Sequence, residues 1–90
     1  LEYRILYTNQ SQGVVRDVVI TDDTPAFTVF RSASCRTTPP SVTCQAPSSG
    51  AGTAPASGGT GNIRWIFGNN PVGLAGGEGG EVRFCVQVEQ

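Results

Sequence analysis

The ninety-residue chain contains no lysine, no histidine and no methionine, and the first two absences each close off a class of chemistry. Without an imidazole there is no Ser-His-Asp or Cys-His nucleophile, no His-ligated zinc and no general base whose ordinary pKa lies near neutrality. Without lysine there is no Schiff base, no phosphate-loop lysine and no Lys-Asn or Lys-Asp isopeptide crosslink. The six cations are all arginine (Arg4, Arg16, Arg31, Arg36, Arg64, Arg83) and lie scattered among seven acids, for a net charge of -1. That balance offers no basic stripe to a nucleic-acid backbone. No apolar run approaches the ~20 residues that span a bilayer, so membrane insertion by this segment is not expected. No residue set calls for a cofactor, and the composition points away from an enzyme.

What is present is glycine, proline and three cysteines. Twelve Gly and six Pro sit mostly together, the pattern of loops between strands. Cys35, Cys44 and Cys85 have no CxxC spacing and no histidine to complete a zinc site, so metal ligation is a poor reading. The run from Cys35 to Cys44 carries Pro39-Pro40 midway, as expected where two antiparallel segments are stapled near a turn. A Cys35–Cys44 disulfide would contribute roughly 2 to 3 kcal/mol by chain entropy and would imply an oxidising, extracytoplasmic compartment. The alternative is three reduced, buried thiols. The chain opens at Leu1 with neither an initiator methionine nor a charged-then-apolar leader, and so reads as an excised domain or a processed fragment.

Period-two alternation recurs along the chain and helical spacing does not, which predicts strands throughout. Tyr3, Ile5 and Tyr7 alternate with polar neighbours up to the turn cluster Asn9 to Gly13. Val14 to Thr21 reads as a second strand, with Val18 and Ile20 inward, stopped by Asp22-Asp23-Thr24-Pro25. Phe27 to Ser34 follows with an ambiguous inward face, then a short strand over Val42 to Gln45. Residues 46–62 are almost wholly Ala, Pro, Ser, Gly and Thr, which predicts a flexible surface loop. Ile63, Trp65 and Phe67 share one face of the next strand, turned by Gly68-Asn69-Asn70-Pro71, and Leu74 is an isolated apolar plug. In the last strand Val82, Phe84, Val86 and Val88 face one way, with Glu81, Arg83, Cys85, Gln87 and Glu89 facing the other. The expected fold is a single all-β domain over residues 1–90, an antiparallel Greek-key β-sandwich of about seven strands. Its predicted core is Tyr3, Ile5, Tyr7, Val18, Ile20, Val29, Ile63, Trp65, Phe67, Leu74, Val82, Phe84, Val86 and Val88.

Several landmarks follow one another in order. They are Tyr3-x-Ile5-x-Tyr7-Thr8-Asn9, Val18-Val19-Ile20-Thr21-Asp22 with Pro25, Phe30-x-Ser32-Ala33-Ser34-Cys35, Val42-Thr43-Cys44, Ile63-x-Trp65, Leu74-Ala75-x-Gly77, and Gly80-x-Val82-x-Phe84-x-Val86-x-Val88. In order and spacing they resemble the bacterial and archaeal conserved-repeat family catalogued as domain of unknown function eleven, over essentially the whole chain. Two features depart from that pattern: the 46–62 loop looks inserted, and the second strand lacks the usual small-residue lead. The resemblance implies an immunoglobulin-like or prealbumin-like sandwich found in tandem in secreted and cell-surface proteins. It implies no catalytic residues.

The candidate sites are few, and each has a plain structural alternative. Asp22 and Asp23, with Thr21 and Thr24, could offer oxygens to Ca²⁺, or could simply form a turn, since no Asp-x-Asp-x-Asp-Gly loop is present. Glu78, Glu81 and Asp22 have nothing around them in sequence to raise a pKa, which argues against carboxylate catalysis. Trp65, Tyr3 and Tyr7 could be a sugar-stacking platform but alternate as core residues do. Asn9-Gln10-Ser11 is an N-glycosylation sequon in an expected exposed turn, and the 46–62 loop could carry O-linked sugars. Cys85, on the outward side of the last strand, is expected to be an unpaired thiol or to join another chain or domain, with pairing to Cys35 or Cys44 as the competitor. The reading reached is a non-catalytic extracellular or cell-surface module that spaces or assembles an array or filament. Its partners would be neighbouring copies or tandem domains, met through edge strands. The rival is an adhesin that binds carbohydrate or protein through its loops.

Overall fold

A computed structural model of the chain describes residues 1–47, 50–69 and 73–88. Among these residues there are six strands rather than about seven, and no helix: β1 (Glu2–Thr8), β2 (Val19–Asp23), β3 (Thr28–Thr37), β4 (Val42–Gln45), β5 (Asn62–Asn69) and β6 (Gly79–Val88). They form two antiparallel three-stranded sheets, ordered β1-β6-β3 and β2-β5-β4. Along the chain, each connection crosses to the other sheet except the one from β4 to β5. The expected turn at Asn70-Pro71, the outward Glu89 and Ser48-Ser49 of the long loop lie outside the described residues.

The two central strands carry the strongest alternation and the deepest side chains. Ile63, Trp65 and Phe67 of β5 face Val82, Phe84 and Val86 of β6, and all six are at most 3% exposed. Burying side chains of this size stabilises the fold by about 1.5 to 3 kcal/mol each. The Trp65 ring lies 6.1 Å from that of Phe84, and its indole N–H donates to the Ser34 carbonyl at 3.1 Å, so its one polar atom is satisfied inside the core. The Cys35–Cys44 disulfide joins β3 to β4, which belong to different sheets, with a Cα separation of 6.3 Å. The bond is therefore a rung between the sheets and not a staple across a hairpin.

The structure departs from the sequence-based expectation in three respects along the strands. The run Val14 to Thr21 does not form one strand. Asp17 takes a left-handed φ of 55°, exchanges hydrogen bonds with the Asn69 side chain, and delays β2 to Val19. Val15 instead pairs with Leu74 by two backbone bonds of 2.8 Å, which holds that buried plug in place. In β3 a bulge between Phe30 and Ser32 breaks the alternation, so Val29 and Phe30 are both buried while Phe27, at φ 63°, is 84% exposed. Two residues expected in the core are exposed: Val88, at the end of β6, and Tyr3, on an edge strand and 37% accessible. Phe30, Ala33, Val42 and Ala46 are buried in their stead.

The described part of the Gly/Ser/Ala/Pro loop also bonds both sheets. Thr53 exchanges two backbone bonds with Arg64, continuing the edge of the second sheet beyond β4. Gly58 and Gly59 bond the N–H and C=O of Phe30 on the edge of the first sheet. The segment is a strap across both sheets, ordered by backbone hydrogen bonds, for which no large side chain is needed. Small residues let it lie close: a Cβ on Gly52 would come within 2.6 Å of the Arg64 carbonyl oxygen.

Candidate functional site

The feature with the clearest capacity to act on another molecule is the free edge of β1. Leu1 exchanges two backbone bonds of 2.9 Å with Val86, and Asn9 bonds Glu78 and Gly77 at the other end of the same register. In an antiparallel pair the bonded residues alternate, so the odd-numbered residues of β1 face β6. The N–H and C=O groups of Glu2, Arg4, Leu6 and Thr8 therefore point away from it, along an edge that no other strand of the described residues covers. The side chains alternate too. Tyr3, Ile5 and Tyr7 lie on the inner face, with Tyr3 stacked on Phe84 at 5.1 Å and Tyr7 edge-on to Phe67 at 5.1 Å. Glu2, Arg4 and the 76% exposed Leu6 lie on the outer face.

The other edges are less available. The β3 edge is occupied at Phe30 by the strap, β4 has only four residues, and β2 carries the carboxylates of Asp22 and Asp23. Short, covered or charged edges of this kind discourage strand addition.

Charge on the outer face of the first sheet is unevenly matched. Arg83 hydrogen-bonds Glu81 and lies 3.5 Å from Glu2. Arg4 is directly opposite Arg83 in the register and has no carboxylate partner among the described residues. Like charges facing each other across a pair of strands are unfavourable. Cys85 lies on this same face, half-buried and unpaired, between Glu2 of β1 and Ser32 of β3.

The remaining candidate residues are dispersed. Asp22 and Asp23 are exposed members of β2 and do not merely stop it. Asp23 accepts from the Asn62 amide and from no cation, and no cluster of three metal-ligating side chains occurs among the described residues. Trp65 is fully buried, so it cannot form a stacking platform with Tyr3 and Tyr7. Beneath the strap, a depression of about 390 Å³ is lined by Phe30, Ala33, Arg31 and Pro55 among others, and its one aromatic side chain is 6% exposed.

Asn9 is not in an exposed turn. It is 6% accessible, its amide N–H groups donate to the Gly13 and Leu74 carbonyls at 2.8 and 2.9 Å, and its side-chain oxygen accepts from Ser11. The nitrogen that glycosylation would need is thus consumed in holding the loop. Glu78 closes the same end: its carboxylate accepts from the Ser41 hydroxyl and from the Ala75 N–H, and these bonds hold its pKa below the ordinary carboxylate value. Nothing in the sequence marked Asn9 or Glu78 as structural, because their partners are up to 65 residues distant. Tyr7 is shifted the other way, since burial pushes its phenol up.

The arrangement defines a small all-β, disulfide-tied domain with a long unpaired edge. No helix among the described residues is long and apolar enough to cross a membrane. In comparison with known proteins, the chain matches no family model, no curated protein and no solved structure.

Proposed function

We propose that the chain is a non-catalytic structural module of a secreted or cell-surface protein, a spacing and assembly unit of an extracellular array or filament. Its fold would be of the immunoglobulin-like Greek-key kind implied by the resemblance to domain of unknown function eleven. One observation carries the reading: β1 presents the backbone groups of Glu2, Arg4, Leu6 and Thr8 along an open edge, a surface whose natural partner is another strand. The inter-sheet disulfide supports an oxidising location. The neighbours would be further copies or tandem domains of the same protein.

Electron microscopy of the native assembly and sedimentation velocity of the oxidised chain test this. Regular oligomers or fibres whose formation needs no added ligand are expected. A chain that stays monomeric at millimolar concentration, and that captures a defined glycan or protein through its loops, would replace this reading with that of an adhesin.

A further inference from the structure

We infer that β1 is the seam of a two-fold symmetric dimer, in which a second copy of the chain adds its own β1 antiparallel to the first, centred on Tyr3. The inference rests on the assembly reading above and specifies the partner, strand and register of one contact within it; a two-fold pair closes on itself, so β1 joins the copies in twos. In this arrangement the two three-stranded sheets become one six-stranded sheet, ordered β3-β6-β1 and then β1-β6-β3 of the second copy.

The argument begins with which groups can pair. Only the even-numbered residues of β1 direct backbone groups outward, so a second β1 must bond even to even. Centring the pair on Tyr3 sets Glu2 against Arg4 of the other copy, twice by symmetry, and these residues exchange their backbone bonds. On the outer face the Arg4 guanidinium, which otherwise faces Arg83 and has no carboxylate partner among the described residues, gains one. On the inner face Tyr3 meets Tyr3, while Leu1 meets Ile5. Leu1 is 68% and Tyr3 37% exposed in the single chain, and this pairing covers both with apolar surface. The Tyr3–Phe84 stack, at 5.1 Å, is then continued across the seam into the matching pair of the other copy.

The neighbouring registers lack this match. Centring on Arg4 sets two guanidinium groups opposite each other. Centring on Ile5 or Leu6 leaves Arg4 against Leu6 or Thr8, with no carboxylate across from it. A symmetric pairing of β2 instead would bring Asp22 and Asp23 of both copies to one seam that has no cation of its own. Cys85 is on β6, one strand in from the seam, so the two thiols are separated by three strand spacings, roughly 14 Å, too far for a disulfide between them. The dimer therefore needs no oxidant at Cys85.

Sedimentation velocity on the oxidised chain and a small set of variants decides the matter, with thermal melts monitoring the fold of each. The parent chain should dimerise reversibly, with an affinity that falls as salt rises. Arg4→Glu and Glu2→Arg should each weaken the dimer at least tenfold. The two single variants mixed together should form a heterodimer, and the chain carrying both changes should dimerise as the parent does. Leu6→Pro should leave the dimer intact, because Leu6 lies outside the paired segment and bonds no residue of β6. Loss of the dimer in Leu6→Pro, or failure of the mixture and of the double variant to associate while the parent does, would overturn the register and leave the assembly reading standing. A parent chain that is monomeric at every concentration would overturn the dimer, and one that also captures a defined glycan or protein through its loops would overturn the assembly reading as well.

Discussion

Asn9 and Glu78 show how much of this small domain depends on single polar residues at one end of the sandwich. The Asn9 side chain satisfies two carbonyls and two donors from a buried position. Leaving such groups unpaired costs about 1 to 3 kcal/mol. Asn9→Ala should therefore lower the thermal midpoint by several degrees, measured by circular dichroism, with the disulfide intact. Glu78 contributes in a pH-dependent way. Because its folded-state pKa is lowered by the Ser41 and Ala75 hydrogen bonds, the stability it provides is fully present above the ordinary glutamate pKa. It is lost as pH falls through the depressed folded value. The urea midpoints of the native chain and of Glu78→Gln should differ near neutrality and converge in acid. Neither role could be read along the sequence: the Asn9 bond to the Leu74 carbonyl and the Glu78 bond to the Ser41 hydroxyl join residues 65 and 37 positions apart. Trp65 was legible, since its place between Ile63 and Phe67 in an alternating run put it inside, where it is fully buried.

Among the elements, the strands with the most regular alternation were recovered best. β4 occupies the expected Val42–Gln45, β5 encloses the run from Ile63 to Phe67, and β6 encloses that from Glu81 to Val88. β2 was displaced because Asp17 turns the chain into the left-handed region, and a short run rich in valine does not announce where such a turn falls. The long small-residue loop makes contacts that its composition does not announce, for a related reason. Its described residues take backbone bonds to Arg64 and Phe30, and backbone groups leave no compositional trace. Cysteine spacing did reveal the Cys35–Cys44 bond, but the reason for the spacing differs from a hairpin staple. β3 and β4 lie in separate sheets and exchange no ladder bonds, so the disulfide is their covalent tie across the core. Replacing both cysteines with serine, or reducing the bond, should cost roughly 2 to 3 kcal/mol in a urea titration. In a domain of this size, that is a large share of a total stability of about 5 to 10 kcal/mol.

For the molecule as a whole, the topology makes most pairing non-local. Of the four strand pairs, only β4 with β5 joins neighbours in sequence, and β1 must find β6 near the other end of the chain. Loop closure precedes the reward from such contacts, so folding should take milliseconds to seconds and not microseconds. The single tryptophan, buried at Trp65, makes stopped-flow fluorescence a direct measure of that rate. A microsecond phase accounting for the full signal would contradict the topology. The edge of β1 belongs to this scale as well, since a free edge is a property of a sheet and not of a strand. By itself the sequence determined that the chain is all-β, that Ile63, Trp65, Phe67, Val82, Phe84 and Val86 form the core, and that Cys35 and Cys44 could pair. Those features depend on alternation and spacing, which are local. The tertiary structure decided that the six strands of the described residues divide three and three, that the disulfide crosses between sheets, that Thr53, Gly58 and Gly59 bond both sheets, and that Arg4 faces Arg83 beside an open edge. Each of those depends on which strand lies next to which, and strand adjacency is set by packing over the whole chain.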